Sequence, residues 1–329
     1  MAYTRIIQLH RAIGVNYSIE HVFEILNEKL IKSWQIKKVI LPFAYVRPVG
    51  LIKNILYARR MCKGFVHIVG EVHYIAIFLP IKTMITIHDL SFIDFNHGFK
   101  RFFFYWLWYY FPLRKAAYVT CISQDVKTRL VSKFPFLKDR ISVIYDPLDT
   151  SFSFKKKEFN EIRPIILHIG TSPNKNLDRV IEALRGIDCD LHIIGRKSEK
   201  YEKLLKDGGF CYTYRSNLSS EDILLEYEQA DIVSFPSLYE GFGMPIIEGQ
   251  AVGRVVLTSN INPMKEIAGS AALLVNPYSV SDIRNGFLSL INDEKMRTDL
   301  IAEGLKNVIK FDAEVIAEKY SELYKKIQQ

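Results

Sequence analysis

The sequence predicts an α/β protein of two Rossmann-like halves, each a parallel sheet covered by helices. Three observations carry that prediction. Short β-rich runs alternate with helix-length amphipathic segments through all 329 residues, the pattern of parallel strands joined by crossover helices. The length suffices for two domains, each able to bury a core. Between the halves, Asp146-Pro147-Leu148-Asp149-Thr150 leads into Ser151-Phe152-Ser153-Phe154-Lys155-Lys156-Lys157, a proline-bearing, charged run suited to a linker.

In chain order, strands are expected near residues 5–10, 37–42, 66–70, 83–88, 117–122 and 141–145, then near 164–169, 190–195, 210–214, 231–235, 254–258 and 272–275. The first, Ile6-Ile7-Gln8-Leu9 between Arg5 and Arg11, is too short for the apolar region of a signal peptide. The final segment, from Asp312 as N-cap to about Ile327, carries Val315, Ile316, Tyr320, Leu323 and Tyr324 at amphipathic-helix spacing. The expected divisions are 1–150, 151–311 and 312–329.

An apolar content of 49% without low-complexity tracts argues for a folded globule. Cys62, Cys121, Cys189 and Cys211 show no Cys-x-x-Cys spacing, so neither a zinc site nor a disulfide framework is indicated, and a reduced, cytoplasmic setting is expected. Residues 1–150 hold 21 Lys+Arg against 10 Asp+Glu, a balance of +11; the remainder, 23 against 26, stands at −3. No nucleic-acid module accompanies the basic half, so an anionic membrane surface on its cytoplasmic side is the expected second partner. Residues 99–115 are rich in Phe, Tyr and Trp, but their uncharged stretch, 102–113, falls far short of the roughly 20 residues needed to span a bilayer. A buried helix and an interfacial helix with flanking Lys100, Arg101, Arg114 and Lys115 are both open.

The pattern richest in chemistry is Glu240-Gly241-Phe242-Gly243-Met244-Pro245-Ile246-Ile247-Glu248, which follows the apolar run Asp231-Ile232-Val233-Ser234-Phe235. Pro245 suits the first turn of a helix, because its φ is already helical and the N–H it lacks would find no partner there. The helix should therefore open near Met244. Gly241 and Gly243 let backbone approach a ligand, and the positive end of the helix favours a phosphate. Glu240 and Glu248 would repel a bare phosphate, so they make sense as acceptors for hydroxyls attached to it, such as a ribose diol and a hexose. The plainer alternative is a strand-turn-helix joint with one glutamate capping and the other solvated.

Two glutamates separated by seven residues around this Gly-Phe-Gly-x-Pro turn, after a strand ending Phe235-Pro236-Ser237, resemble the retaining glycosyltransferases of family 4, which have the GT-B fold. The resemblance covers residues 164–329, including Pro263-Met264-Lys265-Glu266-Ile267-Ala268-Gly269. It is looser in the first half, at His88-Asp89, the 117–123 strand and Ile141-Ser142-Val143-Ile144-Tyr145. It implies two Rossmann-like domains facing a cleft, with the last helix crossing back to the first domain. It also implies metal-independent transfer, with retention, of a hexose from a nucleoside diphosphate sugar to a glycan or lipid-linked acceptor in surface polysaccharide synthesis.

Residue by residue, the resemblance gives the diphosphate to Lys175 and the Gly241, Phe242 and Gly243 turn, the ribose to Glu248, and the sugar to Glu240 and His88. Gly170 forms the turn before Lys175. Arg196, after the strand Leu191-His192-Ile193-Ile194, adds a second cation or only salt-bridges a neighbouring helix. Gly14, in Arg11-Ala12-Ile13-Gly14-Val15-Asn16-Tyr17-Ser18, matches the family's glycine-rich first loop, though the usual glycine pair is reduced to one. Asp89 orients the sugar or caps the next turn, and Ser123 reads as an N-cap. A sugar-nucleotide epimerase of the same fold and a degenerate nucleotide-binding scaffold are the alternatives.

Overall fold

The computed structural model describes residues 5–12, 18–44 and 47–328. It divides into two compact units, 1–147 with 313–329, and 148–312. The first holds β1 (Arg5–His10), β2 (Gln35–Ile40), β3 (Val66–Ile68), β4 (Thr83–Ile87), β5 (Tyr118–Cys121) and β6 (Ile141–Val143). They form one parallel sheet in the order β2-β1-β3-β4-β5-β6. The second holds β7 (Ile165–Ile169), β8 (Asp190–Ile194), β9 (Cys211–Arg215), β10 (Ile232–Phe235), β11 (Val255–Ser259) and β12 (Leu273–Val275). Its order is β12-β11-β10-β7-β8-β9, again parallel. These are the strands expected from the apolar runs, because a parallel strand covered on both faces reads as a continuous hydrophobic stretch.

The Ala313–Gln328 helix packs in the first unit, against Ser18–Leu30. Ile316, Tyr320, Leu323 and Tyr324 enter a core with Ile6, Phe23 and Met84. Val315, expected on the apolar face, instead lies on its exposed edge, since neighbouring helical residues stand 100° apart. Tyr324 Oη lies 2.7 Å from His67 Nδ1, and the His67 Nε2 lies 2.7 Å from Thr86 Oγ1. The packing is thus keyed by polar contacts as well as area.

Residues 98–115 form consecutive helical pieces, with a π-helical stretch at Phe104–Tyr110. Neither sequence reading holds for the whole segment. Trp108, 2% exposed, packs at a tilt against Tyr74 with ring centroids 4.5 Å apart and donates its Nε1–H to the Glu71 carbonyl at 2.8 Å. Tyr109 and Leu113 are buried too, while Phe99, Phe102 and Phe111 face solvent. An all-apolar sequence does not reveal which side of a helix the core takes. No helix among the described residues is long and apolar enough to cross a membrane.

Candidate active site

Two neighbouring strands of the second sheet deliver the site. β7 and β10 pair directly although β8 and β9 intervene in the chain. The strand order therefore reverses between them, and open α/β sheets bind ligands beyond the carboxyl ends at such a point. The loops leaving β7 and β10 are stitched together. Leu238 N–H donates to the Asn174 carbonyl at 2.7 Å, Asn174 Nδ2 to the Tyr239 carbonyl at 2.9 Å, and Asn176 Nδ2 to the Pro236 carbonyl at 2.9 Å. Asn176 has φ 66°, a left-handed conformation that asparagine adopts more readily than most residues.

Across this joint Lys175 Nζ stands 2.6 Å from Glu240 Oε1, and Asn174 Nδ2 donates to the same oxygen at 3.3 Å. The pair is partly open to solvent, with 21% and 14% of the two side chains exposed, so a ligand can reach it. Gly170 makes the lysine's path available. Its φ is 94°, and a Cβ there would lie 2.6–2.9 Å from Lys175 Cγ, Cδ and Cε. The glycine is needed for the lysine stem as well as for the turn. The ammonium also sits 4.7 Å from the Phe235 ring centroid, a cation–π contact that holds it over the end of β10.

The helix after β10 spans Met244–Val252, with Pro245 in its first turn and Gly243 at φ 120° before it. Its positive end thus opens beside the Glu240–Gly241 turn. Phe242 is buried edge-on against Phe311, centroids 5.6 Å apart, so its side chain anchors the turn in the core. Glu248 accepts a hydrogen bond from the Tyr227 hydroxyl of the Ser220–Gln229 helix. Burial, and then the Glu248 charge, push the Tyr227 phenol well above its usual range, which keeps it a donor. Arg196 is exposed beyond β8 and its guanidinium forms no ion pair with a described residue, so the helix salt bridge is not found there. Its carbonyl accepts from Thr171 Oγ1 at 2.8 Å and Tyr214 Oη at 2.7 Å. Those bonds tie the β8 end to the Gly170 loop on one side and to β9 on the other.

In the first unit His88 follows β4, its Nε2 2.9 Å from the Val69 carbonyl. Burial lowers its pKa from the usual 6.5, so the ring is neutral near pH 7. A carbonyl only accepts, which puts the proton on Nε2 and leaves the Nδ1 lone pair to accept a hydroxyl. Asp89 Oδ1 takes the Ser91 N–H at 2.8 Å and so caps the next turn. Ser123 Oγ accepts from Val126 N–H at 3.3 Å, the N-cap expected. Gly14 lies outside the described residues. Sequence reasoning missed a charged cluster at this sheet's own order reversal, between β1 and β3. Arg11 donates from Nε and Nη2 to Glu20 at 2.9 and 3.1 Å, and from Nη1 to Glu71 at 2.8 Å. Burial, with the Asp89 charge, raises Glu71 from 4.5 to about 7, against the pull of Arg11. The available signal was that Arg11 and Glu71 each follow an apolar run.

Residues 149–307 match the family described as "Glycosyl transferases group 1", and residues 29–152 match "Glycosyltransferase Family 4". The chain is 26% identical over 249 residues to the uncharacterized glycosyltransferase MJ1178 of Methanocaldococcus jannaschii, covering 72% of this chain and 66% of that protein. It is 26% identical over 239 residues to the O-antigen chain mannosyltransferase RfbU of Salmonella typhimurium, covering 69% and 65%. Against the serotype-specific mannosyltransferase WbdA of Escherichia coli it is 25% identical and spans 32% of the relative. The chain thus spans about a third to two thirds of the length of these relatives. Among solved structures, a glycosyltransferase from Rickettsia africae matches with TM-score 0.79 at 18% identity, covering 100% of both chains. Anabaena Alr3699/HepE in complex with UDP-glucose matches with TM-score 0.80 at 13% identity, covering 98% of this chain and 100% of that one. With family matches that run from residue 29 to residue 307 and two parallel sheets of the GT-B type, the chain belongs to glycosyltransferase family 4.

Proposed function

We propose that the protein transfers a hexose, with retention, from a nucleoside diphosphate sugar to a hydroxyl of a glycan or lipid-linked acceptor in surface polysaccharide synthesis. The observation that carries this reading is the Lys175–Glu240 pair at the order reversal of the second sheet, beside the positive end of the Met244–Val252 helix. Lys175 and the helix end meet the diphosphate, Glu240 the sugar, and Glu248, held by Tyr227, the ribose. In the reaction the bond from the anomeric carbon to the phosphate oxygen breaks with its electron pair going to phosphate. The acceptor oxygen bonds to the same face of that carbon, and its proton passes to the leaving phosphate. No protein nucleophile is required. Stabilising the charge that develops on the phosphate then carries most of the rate. The His88 Nδ1 lone pair serves a sugar or acceptor hydroxyl. Binding to an anionic membrane surface would bring the enzyme to lipid-linked acceptors.

RfbU is named a mannosyltransferase and HepE was solved with UDP-glucose, which supports including mannose and glucose donors in a first panel. Thermal shift across sugar nucleotides tests the donor site, since a ligand at a hundredfold excess over its Kd stabilises by about 2.7 kcal/mol. The expected result is one nucleotide series that shifts the parent and not Lys175→Ala. The product of the active donor should keep the donor's anomeric configuration by NMR. A product of opposite configuration would overturn the retaining mechanism.

A further inference from the structure

The Pro48–Met61 helix leaves one side unpartnered, and that side has a definite chemistry. Val49, Ile52 and Leu56 are 65%, 58% and 61% exposed. Lys53, Arg59 and Arg60 are exposed beside them, and none forms an ion pair with a described residue. At 100° per residue all six fall within an arc of about 120°. The opposite side is fixed in the protein. Ala58 is buried, and Asn54 Nδ2 donates to the Phe43 carbonyl at 2.9 Å and to Tyr74 Oη at 3.1 Å. The arc therefore cannot roll inward. Exposed Phe43 extends the apolar row, with Lys53 Nζ 5.3 Å from its ring centroid, and Lys63 continues the cationic rim. The surrounding sequence is one-signed: residues 29–70 contain nine Lys+Arg and no Asp or Glu.

We propose that this arc is a docking surface for an anionic lipid bilayer, with Val49, Ile52 and Leu56 entering the interface and Lys53, Arg59, Arg60 and Lys63 meeting lipid phosphates. An aliphatic row flanked by cations, on a helix too short and too charged to cross, is the composition of an interfacial helix. A second copy of the chain fits poorly, because a symmetric pair would bring the two sets of exposed cations, Lys53, Arg59 and Arg60, together. The proposal extends the membrane component of the function proposed above but does not depend on the donor chemistry. The segment first suspected, 99–115, has its Trp108 in the core.

The test is co-sedimentation of the full chain with phosphatidylcholine vesicles and with equal mixtures of phosphatidylcholine and phosphatidylglycerol, without donor. Each cation near an anionic surface is worth about a fivefold change in partitioning. Lys53→Glu with Arg59→Glu and Arg60→Glu should therefore reduce binding to the anionic vesicles at least a hundredfold and leave the weak binding to neutral ones unchanged. Val49→Ser with Ile52→Ser and Leu56→Ser should weaken both. All these positions are exposed, so circular dichroism and donor hydrolysis in solution should match the parent. Failure of donor hydrolysis in the parent would bear on the proposed reaction alone. Parent-like binding by the charge-reversed variant would overturn the docking surface, as would loss of binding in Phe99→Ser with Phe102→Ser but not in the helix variants. Conversion of a dimer to a monomer by the serine variant, with vesicle binding intact, would also overturn it.

Discussion

Gly170→Ala should damage the donor site through Lys175, at a position with no side chain of its own. The new Cβ would stand 2.6–2.9 Å from Cγ, Cδ and Cε of Lys175, at a backbone φ of 94°. The conformation alone costs an L-residue about 1–2 kcal/mol of stability. The steric conflict is with a flexible stem, so folding survives while the ammonium loses its place 2.6 Å from Glu240. A charge-assisted contact is worth about 1.5–3 kcal/mol, so nucleoside diphosphate affinity should fall roughly 10- to 150-fold. Lys175→Ala should lose a similar amount by calorimetry. In the Lys175→Ala background the three clashing carbons are gone, so adding Gly170→Ala should cost stability but little further affinity. This double-mutant cycle isolates the steric route. Gly170→Ala binding like the parent, or full additivity of the two affinity losses, would refute the reasoning.

Tyr227→Phe removes the donor to Glu248 and should weaken nucleotide binding less than Glu248→Ala does, with the loss confined to ligands that carry ribose; an unchanged Kd in Tyr227→Phe would leave Glu248 without need of that support. Burial pushes the Asp146 carboxyl from 3.8 up to about 7. A raised acid contributes its stability in the protonated form, so the parent should lose roughly 3–4 kcal/mol as pH rises from about 4 to about 8, a loss absent in Asp146→Asn. Urea unfolding at both ends of that range should show the variant gaining on the parent at high pH, and parallel pH profiles would contradict it. Transfer should survive excess EDTA if, as proposed, the helix end and the Lys175 ammonium meet the diphosphate; an enzyme inactive in EDTA and rescued by magnesium or manganese would count against that chemistry.

The architecture was legible because parallel strands, buried on both faces, must be apolar along their length. Each of the twelve expected runs became a strand, the edge strands β2 and β9 being partly polar and exposed where inner strands are apolar, and Pro245 and Gly243 marked the helix opening to the residue. The candidate residues were also legible one at a time, since Gly241, Gly243, Lys175 and Glu240 lie in the loops beyond strand ends, where open α/β sheets bind ligands, and Glu248 lies in the helix that follows. Their pairing was not. Lys175 meets Glu240 across 65 residues, Tyr227 meets Glu248 across 21, and Arg11 meets Glu71 across 60. The first and third exist because strand order, rather than chain order, sets which loops are neighbours, and the second because the helices before and after β10 pack together.

The sequence by itself determined the fold class, the family and the kinds of side chain offered to a ligand, because burial period, helix-start chemistry and glycine placement are local. Only the tertiary structure decided how those side chains are spent. It gave Gly170 to the lysine stem, Phe242 to the core and one proton position to His88. It also buried Trp108 while leaving Val49, Ile52 and Leu56 in solvent. An apolar residue carries no record of the face it will occupy until a neighbouring element covers one side and water remains on the other.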